Sequence, residues 1–190
     1  MNNIEKRLLY LLLNANTSYK YFFLLACVDS LENNKKQYSF SELSKFMLAN
    51  ALLYADFVQK RFTKNDRLYD LMSYISLNYS DILYMADTRE IVDRLNTLDD
   101  KYVKNMLNQI VLYVPYRLIS SEIIDTEIKN MPDKKKNKYI EKMSNVYSLI
   151  YVIKNKTIFW DDTVYCYILN NKFQLKEIIV NVIRKKYMED

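Results

Sequence analysis

The chain has 190 residues, half of them apolar, and a formal net charge of +5. That is enough apolar material for one full core without disulfide or metal staples, and too little charge to name a nucleic-acid partner by itself. Glycine and histidine are both absent, which excludes phosphate loops and dinucleotide-binding turns, as well as Ser-His-Asp and Cys-His nucleophile systems, zincin motifs and histidine-dependent metal nuclease centres.

Cys27 and Cys166 lie in separate apolar stretches with no CxxC spacing, the pattern of reduced core cysteines and a cytoplasmic setting. No run of about 18 apolar residues is present, so no membrane span is expected. Neither a metal nor a small-molecule cofactor is expected. Abundant Lys, Asn, Ile and Tyr beside absent Gly and only two prolines fit an AT-rich genome.

Apolar periodicity predicts a first helix near 3–14 and a second over about 18–32, capped by Asn16 or Thr17. NNKKQY, residues 33–38, reads as a charged loop. Ser39 with Glu42 three residues on forms a capping box for a helix over about 40–60, whose Phe40, Leu43, Phe46, Met47, Asn50, Leu53, Tyr54 and Phe57 mark one face. A helix over about 65–78 follows, opened by Thr63 or Asn65. Asp87 and Glu90 form a second box before REIVDRL, and Thr97 with Asp100 caps a helix over about 98–113. Pro115 is expected to stop that helix and push Val114 out of the α region, leaving Tyr116 and Arg117 at an elbow.

A shorter helix, about 120–130, should end at Met131-Pro132, with the next running from Asp133 towards Tyr147. SLIYVIKNKTIF, residues 148–159, is rich in β-branched and aromatic residues and predicts a short hairpin or single strand. Asp161 or Asp162 then caps a helix to about 169, and Asn171 opens the last, about 172–187. In a chain without glycine, Asn14, Asn33, Asn78, Asn96, Asn130 and Asn170 stand where left-handed helix caps are expected. The fold class is mainly α: a compact helical domain of about eight to ten helices spanning 1–190, with 1–115 and 116–190 as sub-lobes.

Four segments, NTSYKYFFLLACVDSL (16–31), FSELSKFMLANALLYADFVQKRFTKNDRL (40–68), VPYRLISSEI (114–123) and IFWDDTVYCYILN (158–170), resemble the helical region that precedes the nuclease domain in HNH endonucleases of the bacterial defence type. The resemblance implies a helical module that recognises DNA, RNA or a partner for a nuclease. In that family cleavage belongs to the HNH domain and its histidines, so no catalytic residue carries over to this chain.

The candidate sites are basic. Lys134, Lys135, Lys136 and Lys138 open a predicted helix where cations oppose the macrodipole; phosphate contact is the functional reading and a solvated helix start the bland one. Arg61, Lys64 and Arg67 cluster at a helix-to-helix turn that could face phosphate, or serve only as a bundle loop. Arg117 is a structural corner first and a contact second. A further basic stretch, RKKY, lies at 184–187.

Glu127-Ile128-Lys129 spells the E-x-K half-motif of metal-dependent nucleases, with Asp99, Asp100 or Asp125 as upstream carboxylates; its helical context favours coincidence. The 18 tyrosines suit base stacking, while Tyr10, Tyr21, Tyr54, Tyr69 and Tyr147 read as core positions with rim hydroxyls. Trp160 with Asp161 and Asp162 reads as a core anchor and helix cap. The expected function is non-enzymatic binding of DNA, RNA or a nucleoprotein effector. The alternative is a phage or mobile-element inhibitor of a defence effector such as a CRISPR nuclease.

Overall fold

The computed structural model describes residues 3–15, 17–54, 66–123, 128 and 131–188. The protein is mainly α with one small antiparallel sheet. Its helices are α1 (Asn3–Leu13), α2 (Ser18–Asp29), α3 (Phe40–Leu53), α4 (Arg67–Asn78), α5 (Thr88–Thr97), α6 (Lys101–Val111), α7 (Val114–Ile119), α8 (Asp133–Val146), α9 (Asp162–Asn170) and α10 (Lys172–Met188), with 3₁₀ turns at Ser80–Tyr84 and Ser120–Glu122. The strands are β1 (Gln37–Ser39), β2 (Val152–Lys154) and β3 (Thr157–Phe159), in the order β1-β3-β2.

α2 and α3 are the centre. Every residue of α2 from Tyr21 to Asp29 is buried, the pattern of a helix surrounded on all sides rather than amphipathic. α3 packs against α2 and meets α4, α5 and α6 on its other flanks. The buried apolar residues form one continuous cluster from Ile4 to Ile183, in which each fully buried Leu, Ile or Phe contributes about 1.5–3 kcal/mol.

Local chemistry sets the helix starts. Ser39 and Glu42 form the expected capping box: Ser39 N–H donates to Glu42 Oε2 at 2.8 Å and Glu42 N–H to Ser39 Oγ at 3.1 Å. Asp87, Asp100 and Asp161 cap α5, α6 and α9. Thr97 is instead the last residue of α5, because Asp100 sits two and three residues before the N–H groups of Tyr102 and Val103 that need an acceptor. α4 is capped by Asp66, which accepts from Leu68 and Tyr69 N–H and receives the buried Ser18 hydroxyl at 2.9 Å. Thr63 and Asn65, the expected openers, lie outside the described residues, as do 55–60 of the helix expected over 40–60.

Several expectations are overturned. Pro115 does not end the preceding helix: α6 closes at Val111 and Pro115 stands in the first turn of α7, where its fixed φ suits the helix and its missing N–H has no helical partner to lose. Val114 is therefore helical, and the corner falls at Leu112 and Tyr113. The helix expected over 120–130 is a 3₁₀ turn at Ser120–Glu122, and most of its remainder lies outside the described residues.

Among the described residues, none of the named asparagines is left-handed; Asn34, Ser148, Asn155 and Lys156 are. Asn14 and Asn78 close helices differently, donating a side-chain amide to the carbonyl four residues back, at 2.8 and 2.9 Å, which satisfies an orphan helix-end acceptor without left-handed backbone. Asn130 lies outside the described residues. Tyr10 and Tyr147, read as core positions, are exposed.

The hairpin expected near 148–159 is present as β2 and β3, joined by a two-residue turn at Asn155 and Lys156, both with positive φ, the backbone that matches strand twist. β1 is an addition: Gln37, Tyr38 and Ser39 pair with Phe159, Ile158 and Thr157. Trp160 is buried and stacks edge-on against Tyr151 at 5.4 Å.

Candidate functional site

α8 carries five lysines, Lys134, Lys135, Lys136, Lys138 and Lys142, against two acids, Asp133 and Glu141. Its inward side presents buried Ile140 and Ser144, and Ser144 Oγ accepts from Ile153 N–H at 3.1 Å. That fixes the rotation of α8 on the hairpin and turns Lys134, Lys135, Lys138 and Lys142 outward as one exposed stripe, with Lys136 half-buried beside it. α8 starts at Asp133, behind Pro132, with no side-chain cap, and the macrodipole disfavours cations in its first turn.

Both acids of α8 are engaged by other elements. Asp133 Oδ2 accepts from Arg117 Nη2 at 3.0 Å, and the Arg117 guanidinium lies 5.1 Å from the Tyr113 ring centre. Glu141 Oε1 accepts from Asn155 N–H at the hairpin turn, 2.9 Å away. Burial, then the Glu141 charge, push the Tyr116 hydroxyl up to about 12. Among the described residues, none of the five lysines has an ion-pair partner.

Arg117 brings a further cation into this region. The Lys20 ammonium is held below its ordinary value, first by burial and then by Arg117. Lys20 was not legible as a site residue, because it sits in an apolar helix far from the other cations in sequence. Tyr19, one residue earlier, accepts from Arg67 N–H at 2.7 Å, while Arg67 Nη1 donates to Gln109 Oε1 at 2.7 Å. Arg67 thus ties α2, α4 and α6 together instead of standing free. Arg61 and Lys64 lie outside the described residues. Lys142 falls on the 134/138 spacing of four and could have been found by that periodicity.

The remaining candidates have structural work. Asp99 pairs with Lys104 at 2.7 Å, and Asp100 caps α6 while accepting the Tyr74 and Tyr79 hydroxyls. Glu127, Lys129 and Asp125 lie outside the described residues, and among those described no group of three or more Cys, Asp or Glu is placed to hold a metal ion. Lys185 and Lys186 fall in the last turn of α10, where cations complement the dipole.

A groove of about 370 Å³ beside Ser148 and Asp161 includes Arg7, whose guanidinium is already taken by Glu122 at 2.7 Å and the Ser148 carbonyl at 2.9 Å. No helix among the described residues is long and apolar enough to cross a membrane. The chain matches no protein-family model, and comparison with curated proteins and with solved structures yields no match.

Proposed function

We propose that the protein is a non-enzymatic nucleic-acid-binding module whose α8 lysines hold phosphate. The observation that supports this is the disposition of charge on α8: Arg117 takes Asp133 and the hairpin turn takes Glu141, leaving five lysines on one helix without partners among the described residues. A partner rich in regularly spaced anions would relieve the mutual repulsion of such a stripe and gain entropy by counterion release. The resemblance to the helical region of HNH-type defence proteins fits the same role, that of a recognition half without a nuclease.

The test replaces Lys134, Lys135, Lys138 and Lys142 by Gln and measures affinity for DNA and RNA against salt. If each lysine neutralises one phosphate, the slope of log K against log salt falls by about 3–4 for duplex DNA. Unchanged affinity and slope would overturn the proposal.

A protein-docking reading, as an inhibitor of a defence effector such as a CRISPR nuclease, draws on another observation. Leu77 and Tyr84 are 84% and 88% exposed at the end of α4 and the following 3₁₀ turn, with Leu83 between them in sequence. A stoichiometric complex with such an effector, formed without any nucleic-acid affinity, would favour it.

A further inference from the structure

We infer that the hairpin tip Lys154-Asn155-Lys156 enters the groove of double-stranded DNA while the α8 lysines hold the flanking backbone. This rests on the nucleic-acid reading above and names the form of nucleic acid. The tip continues the α8 stripe: Asn155 N–H donates to Glu141 Oε1, and Glu141 is the neighbour of Lys142 and lies one turn from Lys138 on the helix surface. Lys154, Asn155 and Lys156 are all exposed, and neither lysine has an ion-pair partner among the described residues.

The tip is also held from both sides. Ile153 and Ile158, opposite each other in the register, are fully buried. Phe40 N–H donates to the Lys156 carbonyl at 2.9 Å, and Ile153 N–H donates to Ser144 Oγ. The turn is thereby pinned to both α3 and α8, and little ordering entropy is left to lose on binding. Asn155 stands between the two lysines, and an asparagine amide offers the donor and acceptor pair that matches an adenine edge.

Three physical points select B-form duplex DNA. From Lys134 to Lys142 the stripe covers about 12 Å of helix axis, and the tip extends it onto a second element, so the basic surface is longer than one or two phosphates require. β1 ends at Ser39 opposite Thr157, so only the β2–β3 turn, two strands roughly 4.8 Å apart, reaches past the three-stranded sheet; that width fits a B-DNA major groove about 12 Å wide, whereas the deep, narrow major groove of A-form RNA excludes it. Two aromatic rings beside the Arg117 end of the stripe are not free to stack unpaired bases: Tyr113 is covered by Arg117, and Tyr116 is buried against Phe40.

The experiment compares the full chain, Lys154→Gln/Lys156→Gln and Asn155→Gly by fluorescence anisotropy. The probes are a labelled DNA duplex of about two helical turns, its single strand and the RNA duplex of the same sequence. Glycine keeps the positive φ at the turn, so Asn155→Gly removes the amide without disturbing the hairpin. The double variant should bind the DNA duplex at least tenfold more weakly, with the salt slope lower by about 2. Asn155→Gly should reduce any preference between A·T-containing and G·C-only duplexes at least fivefold, while thermal melts stay at the parent value.

Tip variants that bind the DNA duplex like the parent, while the α8 variant loses it, would overturn this inference and leave the phosphate-binding reading standing. Tighter binding of the single strand or the RNA duplex by the parent would also overturn it. Parent protein that binds none of the three would overturn both.

Discussion

Tyr151→Phe isolates one buried hydrogen bond. Tyr151 is 1% exposed, and its hydroxyl donates to the Pro115 carbonyl at 2.6 Å, tying the start of the hairpin to the first turn of α7. Its ring stands edge-on to Phe23 at 6.5 Å and to Trp160 at 5.4 Å, and phenylalanine keeps both contacts. The loss is therefore the net bond, about 0.5–1.5 kcal/mol, plus part of the cost of a carbonyl left with one partner fewer out of water, for a total of about 1–2 kcal/mol.

In a domain of this size that corresponds to a fall of about 2–8 °C in Tm. Tyr151→Ala, which also removes the ring and leaves a cavity, should cost about 3–5 kcal/mol. Trp160 is the only tryptophan and touches the mutated ring, so urea unfolding followed by its fluorescence reports both variants directly. A Tyr151→Phe variant as stable as the parent, or as damaged as Tyr151→Ala, would refute the assignment of this bond.

Lys172→Met should cost about 1–2 kcal/mol in thermal melts. The half-buried ammonium donates to the carbonyls of Asp29 at 2.7 Å and Leu31 at 3.0 Å, closing the end of α2 where its last acceptors lack helical partners; an unchanged melt would mean that water serves those carbonyls equally well. Stability should also fall at both ends of the pH scale. Glu32, Glu42, Asp81, Asp99, Asp100 and Asp161 are held below their ordinary range, Glu32 and Asp81 chiefly by hydrogen bonds from arginine. The unfolded chain thus binds more protons in that window, and the stabilisation, complete at neutral pH, is lost as pH drops below about 4. Burial raises Tyr19, Tyr38 and Tyr116 to about 12, so their contribution is intact below about pH 10 and is lost as pH climbs towards 12. Urea midpoints across pH 3 to 12 check both limbs; a midpoint that rises on acidification would contradict the first.

Much of the fold was legible in the residues because its causes are local. Ser39 with Glu42, and Asp87, lie within three residues of the N–H groups they cap, so spacing alone marks the starts of α3 and α5 and narrows that of α9 to Asp161 or Asp162, while at α6 it points to Thr97 where Asp100 is the cap. The β-branched and aromatic residues of 148–159 likewise mark a short hairpin or single strand, and the absence of histidine and glycine removes whole classes of chemistry whatever the fold.

Tertiary structure decided what depends on partners distant in sequence. β1 pairs with β3 from about 120 residues away, a contact no local propensity encodes, and in a short polar segment nothing else signals a strand. Pro115 suits either the end of one helix or the start of the next by its own stereochemistry; the burial of Val114, Tyr116 and Leu118 selects the start. At the candidate site the run of lysines was plain in the sequence, but its significance was not. Only the folded chain brings Arg117 to Asp133 and the hairpin turn to Glu141, because charge compensation depends on which groups meet in space, and that distance is set by packing.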